Sequence, residues 1–570
     1  MKSLKITEII AVLALLVLAT SACTEKFDEL NTRNSLVTEE VLDTDLLLSF
    51  VLHRSIVTGL DGGNGTVGNY PGMSVSNANR PFQQSANTAI WVGTYTSYAR
   101  NLADLIRILE KRDAENESNE NASMIAIARI LKVWVFARLT DAYGDIPYFQ
   151  SCLHLEKAIF SPAYDKQKDI YTDFFKELKE AVEQLDPDLE NYGSSDLMYG
   201  GDVEKWAKFA NSLRLRLALR VRYADPEMAA SNMSDLNEDM LITDAADNAF
   251  INTAYDIIDN TNPNFRAPYS GLYSQQESLT KHMAAKTITD IWKDNYDPRM
   301  KVFIDTAEAS WPTTPGYEAY DYFGYRGHPL LGDVPVEQKY PWQFESSSRW
   351  SLLMYAPVFP MTVLSAQEVY FALAEAALFG IKGTPADAQG YYEKGVRAAL
   401  DWAVAWYDLT SSQLKEMFAL YRPSWTDEQV ADYANFHMIT PEEVEAFADT
   451  ATVMTLTGSE EEQLEMIINQ KIAGFYPVQV FEGWCEWRRT GYPRVQVGDD
   501  GDDLRGVSPR RYMWPDEEQT LNAENYQKAL AELGGTDGML VRFWWDANPL
   551  APHAHPDPVP SQDAPYIVTK

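Results

Sequence analysis

Apolar residues in this chain recur at helical spacing over most of its length, and that period constrains the fold more than any other feature. Ser365 to Phe379 is the clearest case: Val369, Ala372, Leu373, Ala376 and Ala377 form one stripe at i, i+3, i+4, i+7 and i+8, and Gly380 follows where a helix would end. Ile170, Phe174, Leu178, Ala181, Val182 and Leu185 repeat the pattern with Lys and Glu opposite. Met124 to Leu139 is apolar almost all round, which suits the centre of a bundle. Further helices are expected over 37–60, 86–112, 384–406, 427–437, 441–449, 460–489 and 522–533. Leu213 to Val221 (LRLRLALRV) alternates apolar and charged residues, which is the strand signature. Yet Asp202 is a good N-cap, and Trp206, Ala210, Leu213 and Leu217 continue a helical stripe until Asp225-Pro226 stops it, so helix is expected here too.

The first residues are of another kind. Lys2 and Lys5 precede an apolar run from Ile9 to Leu18, and Ala-Thr-Ser-Ala-Cys23 follows. The run is too short to span a bilayer, which needs roughly 20 apolar residues. It has the form of a secretion signal, 1–22, ending in a bacterial lipobox, so Cys23 would be acylated and begin the mature protein. Thr20 stands where lipoboxes usually carry Leu. Residues 23–36 would then be a lipidated polar tether with an acidic cluster at Glu25, Asp28 and Glu29, leaving 37–570 as the folded domain. With Cys23 lipidated, Cys152 and Cys485 allow at most one disulfide, so an apolar core must hold the fold. A net charge of −35 would repel nucleic acid and anionic lipid. No second segment reads as a membrane span, so the acyl anchor is the one membrane contact expected.

Long irregular stretches lie between the helices. Residues 61–85 are rich in Gly, Asn, Ser and Pro; 309–350 carry many aromatics, among them Trp311, Tyr317, Tyr320, Tyr322 and Tyr325; 492–518 and 545–570 are rich in Pro and Asp. Loops this long are usually functional or disordered. Gly63 to Gly68 matches GxGxxG but lacks the strand before and the helix after that a dinucleotide site needs. His553 and His555 lie in a Pro-rich tail that is expected to be exposed, and Asp499 to Asp503 lacks the register of a calcium loop, so no metal or cofactor site is expected. Glu368 and Glu375 stack on one helix face two turns, about 10.5 Å, apart. Glycosidase carboxyls stand about 5 to 9.5 Å apart. The pair flanks an apolar stripe and is expected to join Arg488, Arg489, Arg510 and Arg511 in a structural charge network, not in catalysis.

At these residues the chain resembles the SusD/RagB family of outer-membrane lipoproteins of Bacteroidetes, in its longer SusD-like subgroup. Cys23 to Thr32 (CTEKFDELNT) is similar to the family's mature start, and Ala142 to Tyr148 (AYGDIPY) to a turn after an early helix. Trp206 to Arg220 and Ser365 to Ala377 resemble two further segments. The strongest likeness is Gln470-Lys471 followed by Phe481 to Pro493 (FEGWCEWRRTGYP), completed by Arg510-Arg511, Pro515, Glu518 and Asn522.

The resemblance implies a mainly α fold: a single SusD-like domain of tetratricopeptide-like helical pairs with a second, loop-rich half. It implies a non-enzymatic cell-surface lipoprotein that captures oligosaccharides, or peptides as RagB-type members do, and delivers them to a SusC-like TonB-dependent outer-membrane barrel. The acidic residues behind Cys23 resemble the family's surface-export signal. Because a rigid scaffold presents binding groups on loops, Trp311, Tyr317, Tyr320 and Tyr322 are expected to supply ring faces, with Asn77 and Arg80 as polar partners. A surface glycosidase and a pure interaction scaffold are the competing readings.

Overall fold

The helical period of the sequence is realised as a succession of packed helices. The computed structural model describes residues 42–58, 70–75, 88–153, 157–252, 283–293, 295–307, 324–328, 330, 347–356, 358, 360–421, 424–495 and 508–553. Helix α1 (Thr44–Leu52) buries Leu48, Val51 and Leu52. Ala89–Gly93 and a π-helical turn, Thr94–Tyr98, lead without a break into α2 (Ala99–Asn116). Helix α3 (Ala122–Tyr143) packs against α2 on one side and α4 (Gln167–Gln184) on the other. Almost every α3 side chain is buried, as its uniform apolarity demands.

Asp202 caps α5 (Val203–Arg220), its carboxylate accepting the Glu204 and Lys205 amides at 3.1 Å. LRLRLALR is thus helical, and its strand-like alternation has a physical cause. Arg214, Arg216 and Arg220 are buried among the leucines and are each paired with a carboxylate. The helix ends at Arg220, and Asp225 opens α6 (Pro226–Met233) by accepting from the Met228 amide, with Pro226 in the first turn.

The second half is built on α7 (Lys286–Lys293), α8 (Arg299–Phe303), α9 (Ala366–Leu378), α10 (Ala388–Ser411), α11 (Leu414–Tyr421), α12 (Asp427–His437), α13 (Pro441–Thr450), α14 (Glu460–Phe475), α15 (Val480–Thr490), α16 (Glu518–Leu521) and α17 (Ala523–Glu532). Helix α9 sits at the centre, packed on α5, α10 and α14, and α14 also meets α7 and α15. Phe379 caps α9 and Gly380, at φ +61°, turns the chain out of it. The single helix expected over 460–489 is two: Pro477 has no N–H to donate, and Tyr476 before it is extended at ψ 135°. Strand content is small. Strand β1 (Ser74–Val75) pairs antiparallel with β3 (Met283–Ala284), and β2 (Ala249–Asn252) with β4 (Pro360–Leu364), Ile251 opposite Met361.

The described parts of the irregular C-terminal stretches are packed. Trp514 and Trp545 are wholly buried, and Trp545 donates Nε1–H to Asp141 at 2.8 Å. His553, expected in an exposed tail, instead stacks on Tyr492 with ring centroids 4.1 Å apart. Cys152 and Cys485 are both free thiols. His555 and residues 499–503 lie outside the described residues.

The α9–α10 contact yields a prediction. Replacing a helical glycine by another residue usually gains up to about 1 kcal/mol. At Gly395, however, an added Cβ would stand 2.8 Å from the buried Phe371 ring. Gly395→Val should therefore destabilise the fold by about 1–3 kcal/mol, as overpacked cores do, read as a lower urea midpoint.

Candidate functional site

Of the residues expected to touch ligand, Asn77, Arg80, Trp311, Tyr317, Tyr320 and Tyr322 lie outside the described residues, as does Cys23. The charge network can be placed in full. Glu375 and Arg489 pair in parallel, with Nη2 to Oε2 at 2.7 Å, and Arg222 approaches the same carboxylate at 2.8 Å. Glu368 meets none of the four arginines named from the sequence. It pairs with Arg216 of α5, Nε and Nη2 both at 2.6 Å. Arg510 instead pairs with Asp546 and Arg511 with Asp537. Arg488 donates to the carbonyls of Asp141 and Arg510 and lies 3.7 Å from the Trp484 ring centroid. These pairings differ from the expected ones because Arg216 reaches Glu368 across the α5–α9 contact, a tertiary neighbour that helix spacing cannot reveal.

Burial alone would raise the carboxyls of Glu375, Glu482 and Glu486, but the cations beside them outweigh it and hold all three below the usual range. For Asp141 burial prevails over Arg220 and Tyr171, and its carboxyl lies above the usual range. Burial also pushes the Cys485 thiol up to about 12, which keeps it protonated and unreactive at neutral pH.

An open cleft of about 970 Å³ lies elsewhere, between the chain leading into α8 and helices α12 and α13. Its floor is set by local chemistry. Asp297 is buried and accepts from the Arg299 amide and Nε, at 3.0 and 2.9 Å. Just before it, Tyr296 takes a left-handed conformation, φ +57°, as the chain turns off α7. Across the cleft Glu443 serves twice. It completes the capping box of α13 with Thr440, and it accepts from Lys301 of α8 at 2.8 Å. Behind α12, His437 Nε2 lies 2.9 Å from Asp305, which also accepts from Tyr433 at 2.8 Å.

On this framework stand aromatic side chains open to solvent. Tyr296 is 68% exposed and Phe436 47%. Tyr325, from the aromatic-rich stretch 309–350, stacks on Phe436 with centroids 6.5 Å apart and planes 23° apart. Asn295 and Asn435 add neutral polar groups. The carboxylates that line the cleft, Asp297 and Glu443, are both held by cations. The arrangement suits holding a flat, amphipathic ligand between ring faces and amide groups. Tyr296 and Phe436 were not singled out in the sequence. The available signals were faint: a tyrosine in a turn beside Asp297-Pro298, and a large aromatic on the polar side of a helix end. No group of three or more His, Cys, Asp or Glu that could hold a metal occurs among the described residues.

A family model described as SusD-like, starch-binding associating with outer membrane, matches residues 67–515. The chain belongs to the SusD-like family. Solved structures agree in fold. A chitin-binding protein is 26% identical with a TM-score of 0.69, covering 89% of this chain and 100% of its own. A SusD homologue from Bacteroides uniformis is 25% identical with a TM-score of 0.63 and the same coverage. Another from Bacteroides fragilis is 21% identical with a TM-score of 0.67, covering 88% of this chain and 99% of its own. No curated protein matches the sequence. The fold is mainly α and tetratricopeptide-like, as SusD-like structures are. Among the described residues no helix is long and apolar enough to cross a membrane.

Two predictions follow from the charge network of this SusD-like chain. Glu375→Ala leaves Arg222 buried without its carboxylate and Arg489 with Glu486 alone, and should cost about 3–5 kcal/mol of stability in chemical denaturation. The second concerns pH. A carboxylate held low in the folded state contributes stability above its unfolded value, 4.5 for Glu, and loses that contribution as pH falls. Asp141 and Asp537, both raised by burial, act in the opposite sense, favouring the folded state as pH falls. Three depressed groups outweigh two, so the unfolding temperature should drop between about pH 5 and about pH 3; a flat circular-dichroism profile would contradict this.

Proposed function

We propose that this SusD-like chain is a surface lipoprotein, anchored through acylated Cys23, that captures oligosaccharides and hands them to a SusC-like TonB-dependent barrel without chemical change. The observation that carries the reading is the cleft with exposed Tyr296 and Phe436, backed by Tyr325. A sugar ring has an apolar C–H face, which packs on an aromatic ring, and hydroxyls around its rim, which need directional partners such as Asn295 and Asn435. The chitin-binding relative supports a glycan over a peptide as ligand. Capture without hydrolysis is supported by the cleft's carboxylates, Asp297 and Glu443, each engaged by a cation. The buried network of Glu368, Glu375, Arg488, Arg489, Arg510 and Arg511 then has a structural role. In this reading Asn77, Arg80, Trp311, Tyr317, Tyr320 and Tyr322 add to the ligand's contacts.

Tyr296→Ala and Phe436→Ala should each weaken oligosaccharide binding about tenfold, the loss of roughly 1–2 kcal/mol of apolar contact. Because both side chains are exposed, the melting temperature should stay within about 1 °C. Calorimetric titration against a glycan panel reads the first and a thermal scan the second. Unaltered affinity in both variants would remove the cleft from the proposal. Cys23→Ser should release the folded protein from membranes; continued retention would contradict the lipid anchor.

A further inference from the structure

A second hollow, of about 580 Å³, adjoins the aromatic cleft, and Asn295 and Thr452 line both. Its character is different. Its charges come as opposite pairs: Lys286 with Asp290, and Arg494 with Glu465 at 2.7 and 2.9 Å. It therefore presents no net charge, and its cations already hold carboxylates of their own.

Two consecutive residues of α14, Asn469 and Gln470, line this hollow. Gln470 is 1% exposed. Its Oε1 accepts from Arg299 at 2.5 Å, and Arg299 is clamped by Asp297, so the amide cannot turn over without setting two donors against each other. Its Nε2 has no acceptor, and the buried Oδ1 of Asn469 has no donor. Native structures rarely leave such atoms unmatched, and a ligand that meets them recovers the cost of their burial. Met466 and Val453 bring apolar surface into the same hollow.

We infer that this hollow takes the N-acyl group of an amino sugar whose ring lies against the aromatic cleft. The inference rests on the oligosaccharide reading of that cleft. An amide offers what the lining lacks: its carbonyl accepts from Gln470 Nε2, its N–H donates to Asn469 Oδ1, and an acyl methyl packs on Met466. Other substituents match it less well. An anionic group has acceptors only and leaves Asn469 unmatched. A free ammonium has donors only and leaves Gln470 unmatched. A hydroxyl carries donor and acceptor on one atom and leaves the apolar lining uncovered.

The test is calorimetric titration of the whole protein with chitohexaose, the glucosamine hexamer and cellohexaose, which share one backbone and differ at a single ring substituent. Chitohexaose should bind about tenfold tighter than the other two, the factor that two neutral hydrogen bonds supply. That advantage should fall below threefold in Asn469→Leu and in Met466→Trp, with thermal scans showing both variants folded. Equal affinity for chitohexaose and cellohexaose, both lost in Tyr296→Ala, would overturn the inference and leave the cleft reading standing. Binding of none of the three, or displacement of chitohexaose by casein peptides, would overturn both.

Discussion

The structure depends on a lattice of buried ion pairs at the meeting of α3, α5, α9 and α15. Arg220 of α5 bridges Asp141 of α3 and Glu482 of α15, both at 2.5 Å. Arg216, one turn earlier, joins Glu368 of α9 to Glu482. Arg489 ties Glu375 to Glu486, which Lys471 of α14 also approaches at 3.3 Å. Taking such charges out of water is expensive, and the attraction between them repays it only when the geometry is good and every partner is present. A slipped helix would strand a charge in the core. The lattice therefore acts less as a source of net stability than as a condition that one packing of these helices meets.

The same logic reaches the aromatic cleft. Arg299 is fully buried, and it joins Asp297 beneath the cleft to Gln470 of α14. Lys301 and Glu443 couple α8 to α13, while His437, Asp305 and Tyr433 brace α12. The exposed rings of Tyr296 and Phe436 thus stand on backbone that is held from behind. Rigid support of this kind would lower the ordering cost of the proposed binding, because the aromatic faces would need little rearrangement.

Much of the helical framework was legible in the residues. The stripe of α9, the uniform apolarity of α3 and the cap at Asp202 each have one local cause, and each helix is found where that cause places it. The break at Pro477 was legible too, but the apolar period on either side concealed it. Less could be read of the charges. Buried arginine and surface arginine look alike in a sequence, so LRLRLALR could be assigned to a helix without revealing that its arginines are buried beside carboxylates. The cleft was the least legible part. Tyr296, Phe436 and Tyr325 are separated widely along the chain, and only the packing of α8, α12 and α13 gathers them.

By itself the sequence determined where helices form, that the fold is mainly α, and which family the chain belongs to. Those properties follow from local periods, caps and ordered motifs, which act between residues near in the chain. Tertiary structure decided which carboxylate each buried arginine meets, which aromatic rings share a cleft, and that Asn469 and Gln470 line a polar hollow beside it. Those relations join residues far apart in the chain, and no local period encodes them: they exist once the helices have packed.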